Sequence, residues 1–368
     1  MSTKKRITTK MIADHIGMSQ STVSMILSGK KNVSFSEETK QRVLSAAAEL
    51  GYEKKRKSDK KLNQELSNTI MVICPTFANN YYAMVIHSIS ERAKQYGYSI
   101  FIAPTLRDSD TESYYLDLFK EMNLCGVIYL YPPAMVYQAN ALSEKIPVIS
   151  IGEKSMQSKF DAIELDRIKP GFLVGSHLLD LGHRKVTYIT SPIHRHEVGR
   201  SDRLEGIRSA FKENGLSADQ VTLMDANPED YQLYSPDNAE YRNGYDQTIK
   251  LLKKGTDSTA LVGNNDLTAF GIMCALSDMG YKIPRDFSVC GFDNIPLSAM
   301  AQISLTTIEH ASDLKGIEAV DLIHRKIAMK KNARSSRYNY IVRLEYEPEL
   351  IIRKSTGKCR RKDIAKHE

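Results

Sequence analysis

Apolar positions along the chain follow two different rhythms. Up to Leu50 they fall at Ile12, Ala13 and Ile16, then at Val23, Ile26 and Leu27, then at Val43, Ala47 and Leu50. A spacing of three and four predicts three short amphipathic helices able to close one small core. After Asn68 compact apolar runs take over, at Thr69–Cys74, Ser99–Ala103, Gly126–Tyr131, Val148–Ile151, Lys185–Thr190, Leu261–Gly263 and Phe287–Gly291, with helical stretches between them. That alternation predicts parallel sheets covered by helices on both faces, with ligands gathering at the carboxyl ends of the strands. The expected fold class is α/β, a three-helix head on a larger body.

Punctuation in the head is specific. Thr8 or Thr9 caps the first helix, Gly17 turns the chain, and Ser19 caps the second helix after a three-residue turn. Ser34-Phe35-Ser36-Glu37 has capping-box spacing for the third helix, which ends where Leu50 meets Gly51. Two short helices joined this tightly form a helix-turn-helix, which presents the start of its second helix to base edges in the major groove.

Charge supports a polyanionic partner. Residues 1–66 hold fourteen Lys and Arg against seven Asp and Glu, the whole of the net +7, so a basic head precedes a neutral body. The chain contains no apolar run long enough for a membrane span, and it opens Met1-Ser2-Thr3-Lys4-Lys5-Arg6 without a secretory core, so a cytoplasmic protein with no membrane partner is expected. The five cysteines lack C-x-x-C spacing and read as buried hydrophobes with a tail thiol, so no metal and no cofactor are expected. Nucleophile-elbow, phosphate-loop, dinucleotide and zinc-protease motifs are absent, which argues against an enzyme. His194-Arg195-His196-Glu197 reads as a solvated loop or cleft rim.

The stretch Ala13-Asp14-His15-Ile16-Gly17-Met18-Ser19-Gln20-Ser21-Thr22-Val23-Ser24 resembles the signature A-x-x-A-G-V-S-x-x-T-V-S of the LacI/GalR family of bacterial regulators, and Glu49-Leu50-Gly51-Tyr52 resembles the end of its third helix. The resemblance implies that Gln20, Ser21 and Met25 read bases, that Thr22, Ser24 and Asn32 lie near phosphates, and that Thr8, Ser19 and Tyr52 complete the DNA-facing set. Met25 stands where the family usually has Arg, so a different operator is expected. Residues 54–67 fall where the family places a DNA-folded hinge. Lys61 occupies the register of its minor-groove leucine, and Leu62 lies one position late.

Across the body, Pro75-Thr76-Phe77-Ala78-Asn79-Asn80-Tyr81-Tyr82, Leu181-Gly182-His183-Arg184, Arg203-Leu204-Glu205-Gly206, Asn265-Asp266-Leu267-Thr268-Ala269 and Val289-Cys290-Gly291-Phe292-Asp293-Asn294 continue the resemblance to about Thr356. It implies a body resembling periplasmic binding proteins, of two Rossmann-like lobes with chain crossings near Asp166, Asp293 and Ala333. The expected boundaries are a DNA-binding head at 1–53, a hinge at 54–67, a first lobe at 68–166 and 294–333, a second lobe at 167–293 and 334–356, and a basic tail at 357–368. Asn79, Tyr81, Tyr82, Arg203, Asn265, Asp266 and Asp293 are the implied effector residues. Arg203 and Asp266 would bracket a polyol, and the two tyrosines would supply its apolar wall. The family's ring-stacking aromatic falls on Ala239, with Tyr234 and Tyr241 as substitutes, and a frequent acidic position falls on Gly152.

The expected partners are a pseudo-palindromic double-stranded operator, a second copy of the chain in a homodimer, and a small-molecule effector, by resemblance of carbohydrate type, whose binding controls a repressor. A catabolite-control regulator answering to a phosphocarrier protein is the alternative within the class, and a solute-binding protein without a DNA role is the alternative outside it.

Overall fold

A computed structural model describes residues 7–28, 35–52, 67–153, 157–166, 168–193, 198–331 and 340–359. The chain divides into two compact units, Met1–Glu65 and Leu66–Glu368.

In the first unit, α1 (Thr9–Ile16), α2 (Gln20–Ser28) and α3 (Glu37–Glu49) bury Ile12, Ala13, Val23, Leu27, Val43, Ala46 and Ala47 against one another. Thr8 caps α1 by accepting from the Met11 amide at 3.2 Å, and Gly17 ends it at φ +68°, a left-handed conformation natural to glycine. Ser36 caps α3, accepting from the Thr39 amide at 3.2 Å. The cap therefore lies two residues beyond the Ser34 of the capping-box reading, because the helix starts only at Glu37.

The second unit contains two parallel sheets. The first runs β2 (Ser99–Pro104), β1 (Thr69–Cys74), β3 (Gly126–Tyr129), β4 (Val148–Glu153), β5 (Asp161–Leu165) and β11 (Arg343–Tyr346) in spatial order. Strand alternation sends Ile70, Val72 and Cys74 towards α4 (Asn80–Gln95) and α12 (Ser312–Lys331). It sends Met71 and Ile73 towards α5 (Ser109–Glu121) and α6 (Val136–Ser143). The second sheet runs β7 (Val221–Asp225), β6 (Val186–Thr190), β8 (Ala260–Gly263) and β9 (Ser288–Cys290). Helices α7 (Lys169–Asp180) and α8 (Val198–Glu213) cover one face, and α10 (Ala239–Lys254) and α11 (Asp266–Asp278) cover the other, while the short α9 (Pro228–Gln232) precedes α10. An antiparallel pair, β10 (Thr307–Glu309) with β12 (Glu349–Ile351), completes the second lobe.

Strand pairing corrects two expected crossings. The chain passes into the second lobe after β5, near Asp166. Residues 294–309 then remain in that lobe, since β10 pairs with β12 and Ile308 packs with Val186, Tyr188 and Val262. The return crossing is therefore at His310–Ala311, not at Asp293. The last crossing follows Tyr346, not Ala333, because β11 aligns with β5 from Arg343–Ala162 to Tyr346–Leu165.

Among the described residues no helix is long and apolar enough to cross a membrane, and no group of three or more His, Cys, Asp or Glu could hold a metal.

Candidate DNA-reading head and effector cleft

In the head, the start of α2 presents its polar side chains together. Ser19 Oγ accepts from the Thr22 amide at 3.1 Å and lies 2.8 Å from both Ser21 Oγ and Thr22 Oγ1. Gln20 Nε2 donates to Thr9 Oγ1 at 3.4 Å, tying the start of α2 to the start of α1. Gln20, Ser21 and Ser24 are exposed and Met25 is half-buried, whereas Val23 and Leu27 face the core. Tyr52 is half-buried against that core. Asn32, Lys61 and Leu62 lie outside the described residues.

Between the two lobes lies a cavity of about 140 Å³ lined by residues of both. Two helix caps build its amide donors. Asn79 caps α4 by accepting from the Tyr81 amide at 2.9 Å, and Asn265 caps α11 by accepting from the Thr268 amide at 2.9 Å. Each cap uses its amide oxygen and leaves the NH2 group for the cleft, where both donate to one carboxylate oxygen of Glu240.

Arg203 is placed by close helix packing. A Cβ on Gly171 of α7 would stand 2.0 Å from the Arg203 carbonyl oxygen, so glycine is what lets α7 and α8 touch there. The guanidinium donates to the Asn264 carbonyl, lies over the Phe292 ring at 4.8 Å, and stands 3.7 Å from Asp293 Oδ1. Gly244 plays the same part for α10 and α11, with its would-be Cβ 2.1 Å from the Thr268 carbonyl oxygen. Asp293 itself has φ +112°, outside the usual range of L-residues, and its amide donates to the Ile308 carbonyl at 3.0 Å. Burial pushes its carboxyl well above the ordinary carboxylate range, and Arg203 offsets part of that rise.

The first lobe supplies the aromatic wall. Tyr81 and Tyr82 meet edge to face at 5.3 Å, Arg107 donates to the Tyr82 hydroxyl at 3.2 Å, and the Arg107 guanidinium lies 5.4 Å from the centre of the Tyr131 ring. Burial raises both the Tyr81 and Tyr82 phenols, so the two present neutral hydroxyls beside their ring faces. Gly152 also lines the cavity, and its lack of a side chain leaves space beside Pro132.

Comparison with known proteins agrees with the fold of both units. Residues 8–54 match the profile of bacterial regulatory proteins of the lacI family, and residues 176–356 match that of the periplasmic binding protein-like domain. The HTH-type transcriptional repressor PurR of Mannheimia succiniciproducens is 28% identical over 95% of this chain and 99% of its own length. The chain belongs to the LacI/GalR family. A second member of the family, the transcriptional regulator DegA of Bacillus subtilis, is 27% identical over 94% of this chain and 97% of its own. A LacI-family regulator from Enterococcus faecium, solved with bound ribose, shares the fold with a TM-score of 0.64 and 24% identity, over 79% of this chain and 99% of that one. This LacI-family chain is a DNA-binding transcription regulator.

Of the seven expected effector residues, Asn79, Tyr81, Tyr82, Arg203, Asn265 and Asp293 line the cleft, and Asp266 does not. Asp266 is fully buried and accepts from the Ile295 amide at 2.9 Å, Ser298 Oγ at 2.6 Å and Thr307 Oγ1 at 2.5 Å, so it holds the segment after β9 in place. Burial raises its carboxyl to about 6 despite these donors. The carboxylate facing Arg203 is therefore that of Asp293. Neither substitute for the missing ring lies among the lining residues. Tyr234 donates to Asp246 at 2.7 Å, and Tyr241 engages Cys274. Glu240, Arg107, Tyr131, Arg200 and His310 line the cleft without having been expected there. The one available signal was Glu240 standing beside Ala239, the position counted as the lost aromatic.

Proposed function

We propose that the protein is a homodimeric repressor whose operator affinity is set by a small polar effector, of carbohydrate type, held between the lobes of each subunit. The observation that carries this reading is the confrontation across one cavity of Arg203, Asp293 and Asn265 with Tyr81 and Tyr82. Charged and amide groups bracket hydroxyls, and aromatic faces cover the apolar side of a sugar ring. The volume of about 140 Å³ lies below the range of roughly 300–1,000 Å³ of drug-sized sites, which favours a single ring. The ribose bound to the Enterococcus faecium regulator agrees in scale.

In the head, Gln20, Ser21 and Met25 are assigned to base edges, and Thr8, Ser19, Thr22, Ser24 and Tyr52 to positioning on the backbone; Asn32, Lys61 and Leu62 keep the roles their resemblance implies. The head profile favours a regulator over a solute-binding protein, and a small polar cleft favours a small effector over control by a phosphocarrier protein alone. A dimer is assigned because palindromic operators match twofold symmetry.

A thermal-shift screen of sugars, sugar phosphates and nucleobases on the full chain tests the effector class, since a ligand of the folded state raises its melting temperature. Each hit is then added to a gel-shift assay on operator DNA selected from a random pool. Stabilisation by nucleobases alone would refute the carbohydrate assignment. A monomer by sedimentation at micromolar concentration would refute the dimer.

A further inference from the structure

Where the chain returns to the first lobe, beside the cleft, two buried basic side chains have no hydrogen-bond partner among the described residues. His310 lines the cavity at 3% exposure, and neither ring nitrogen has a partner; its Nε2 stands 3.9 Å from Asp293 Oδ1. Five residues further, on α12, Lys315 is fully buried and its Nζ has no hydrogen-bond partner either. The position is tightly held, because a Cβ on the neighbouring Gly316 would stand 1.9 Å from Ser88 Oγ of α4.

The charged groups that act on the Lys315 amine are Glu309, Asp293 and Arg203, and the last two line the cavity. Burying an ammonium without an acceptor costs several kcal/mol, on the order of what a whole small domain can spare. The resident acids are already engaged. Glu309 accepts from Asn294 Nδ2 at 2.7 Å and from the Ser312 amide at 3.3 Å, and Glu240 accepts from two amides. Asp293 is shared at 3.7 Å and 3.9 Å between Arg203 and His310, longer than hydrogen bonds. Arg107, Arg200 and Arg203 line the cavity alongside only two carboxylates, Glu240 and Asp293, among the described residues.

We propose that the effector carries an anionic group, a carboxylate or phosphate on a small polyol, and that this group is seated against His310 and Lys315. An oxyanion there supplies the acceptor that Lys315 lacks and takes a proton donor from His310, while Arg203, Asn265 and the two tyrosines hold the ring. The inference rests on the reading of the cleft as an effector site.

Calorimetric titration of the full chain with glucose, glucuronate and glucose 6-phosphate, and with ribose and ribose 5-phosphate, tests it. At least one anionic sugar should bind about tenfold or more tighter than its neutral parent, the difference expected of a charge-assisted bond. Lys315→Met should remove that preference, bringing the anionic sugar and its neutral parent to within about twofold of one another. His310→Asn, a second variant, should reduce the preference by a smaller factor. Glucuronate and glucose 6-phosphate separate carboxylate from phosphate. Equal affinity for neutral and anionic partners, or a preference that survives in Lys315→Met, overturns the proposal. If the neutral sugars bind, lose affinity in Arg203→Ala, and show no disadvantage against the anions, the effector cleft stands and the anionic subsite falls. If no sugar of either kind binds, both readings fall together.

Discussion

Glu240 at the start of α10 accepts a hydrogen bond from Asn79 Nδ2 at the start of α4, 3.3 Å away and on the opposite lobe. The same carboxylate oxygen accepts from Asn265, so one acid joins the helix caps of both lobes across the cleft. Replacing Glu240 by Ala should shift the body towards an open arrangement by about 1 kcal/mol, the net worth of a typical hydrogen bond or somewhat more. Small-angle scattering of the effector-free protein should show a larger radius of gyration, with Glu240→Gln intermediate. An unchanged radius would mean that the acid does not bias closure.

Gly171 is where α7 meets the Arg203 backbone. Gly171→Ala should force the helices apart, destabilise the fold by about 1–3 kcal/mol as overpacking does, and weaken effector binding through displacement of Arg203. Urea denaturation and ligand titration check the two effects separately. A variant with native stability would show that α8 can slide at no cost.

Asp266 should behave as a structural acid. Asp266→Ala leaves the Ile295 amide and the Ser298 and Thr307 hydroxyls without their acceptor. A loss of about 2–4 kcal/mol is expected, from three buried donors unpaired at once. A variant of normal stability that had lost only its effector response would return Asp266 to the binding site.

Lys315 predicts a pH signature. Burial lowers its ammonium from 10.5 to about 7, with Glu309 and Asp293 opposing the drop and Arg203 adding to it. Between about pH 7 and 10.5 the unfolded chain binds the proton that the folded chain has released, so stability rises with pH across that window. Below it the full cost of the buried charge is present. Lys315→Met removes this contribution, so the variant should exceed the parent in stability most at pH 6 to 7, and the gap should narrow towards pH 9. A gap that stays constant with pH, read from melting curves of both proteins, would contradict a charged lysine beside the cleft.

In the head, Met25→Arg should change base preference at one or two positions per half-site, each by about 1–3 kcal/mol, because a guanidinium can bond guanine in a bidentate fashion where a thioether cannot. Selection from a random-site pool reads the change directly. Operator affinity should also fall steeply with salt, since residues 1–66, the head with its hinge, carry the chain's whole excess of positive charge. A flat salt response would argue against phosphate contacts by that segment.

Much of the architecture was legible because its signals are local. The three helices of the head follow from apolar spacing, and Thr8 and Ser19 act as the caps their positions suggest. The run Thr69–Cys74 is strand β1 to the residue, since a strand buried on both faces is a continuous apolar run. Strand β7, by contrast, lies at a sheet edge and exposes Thr222 and Asp225, so its pattern did not stand out. β10, β11 and β12 are three or four residues long and defined by pairing partners far away in the chain.

The cleft divides along the same line. Asn79, Asn265, Tyr81 and Arg203 sit in motifs whose residue types announce them. Glu240 looked like an ordinary acid at the start of a helix, and Lys315 like one more polar residue on an amphipathic helix, although it is fully buried. By itself, the sequence determined the helix-turn-helix, the alternation of strands and helices, and the site of excess charge, all of which depend on residues within a few positions of one another. Only the tertiary structure decided where the chain changes lobes, which of Asp266 and Asp293 faces Arg203, and that Lys315 is buried without a hydrogen-bond partner among the described residues. A side chain's surroundings depend on which way its helix or turn is rotated in the packed body, and neighbours along a helix point roughly 100° apart. Asn265 at the cap can thus reach the cleft while Asp266, one residue later, is turned into the core.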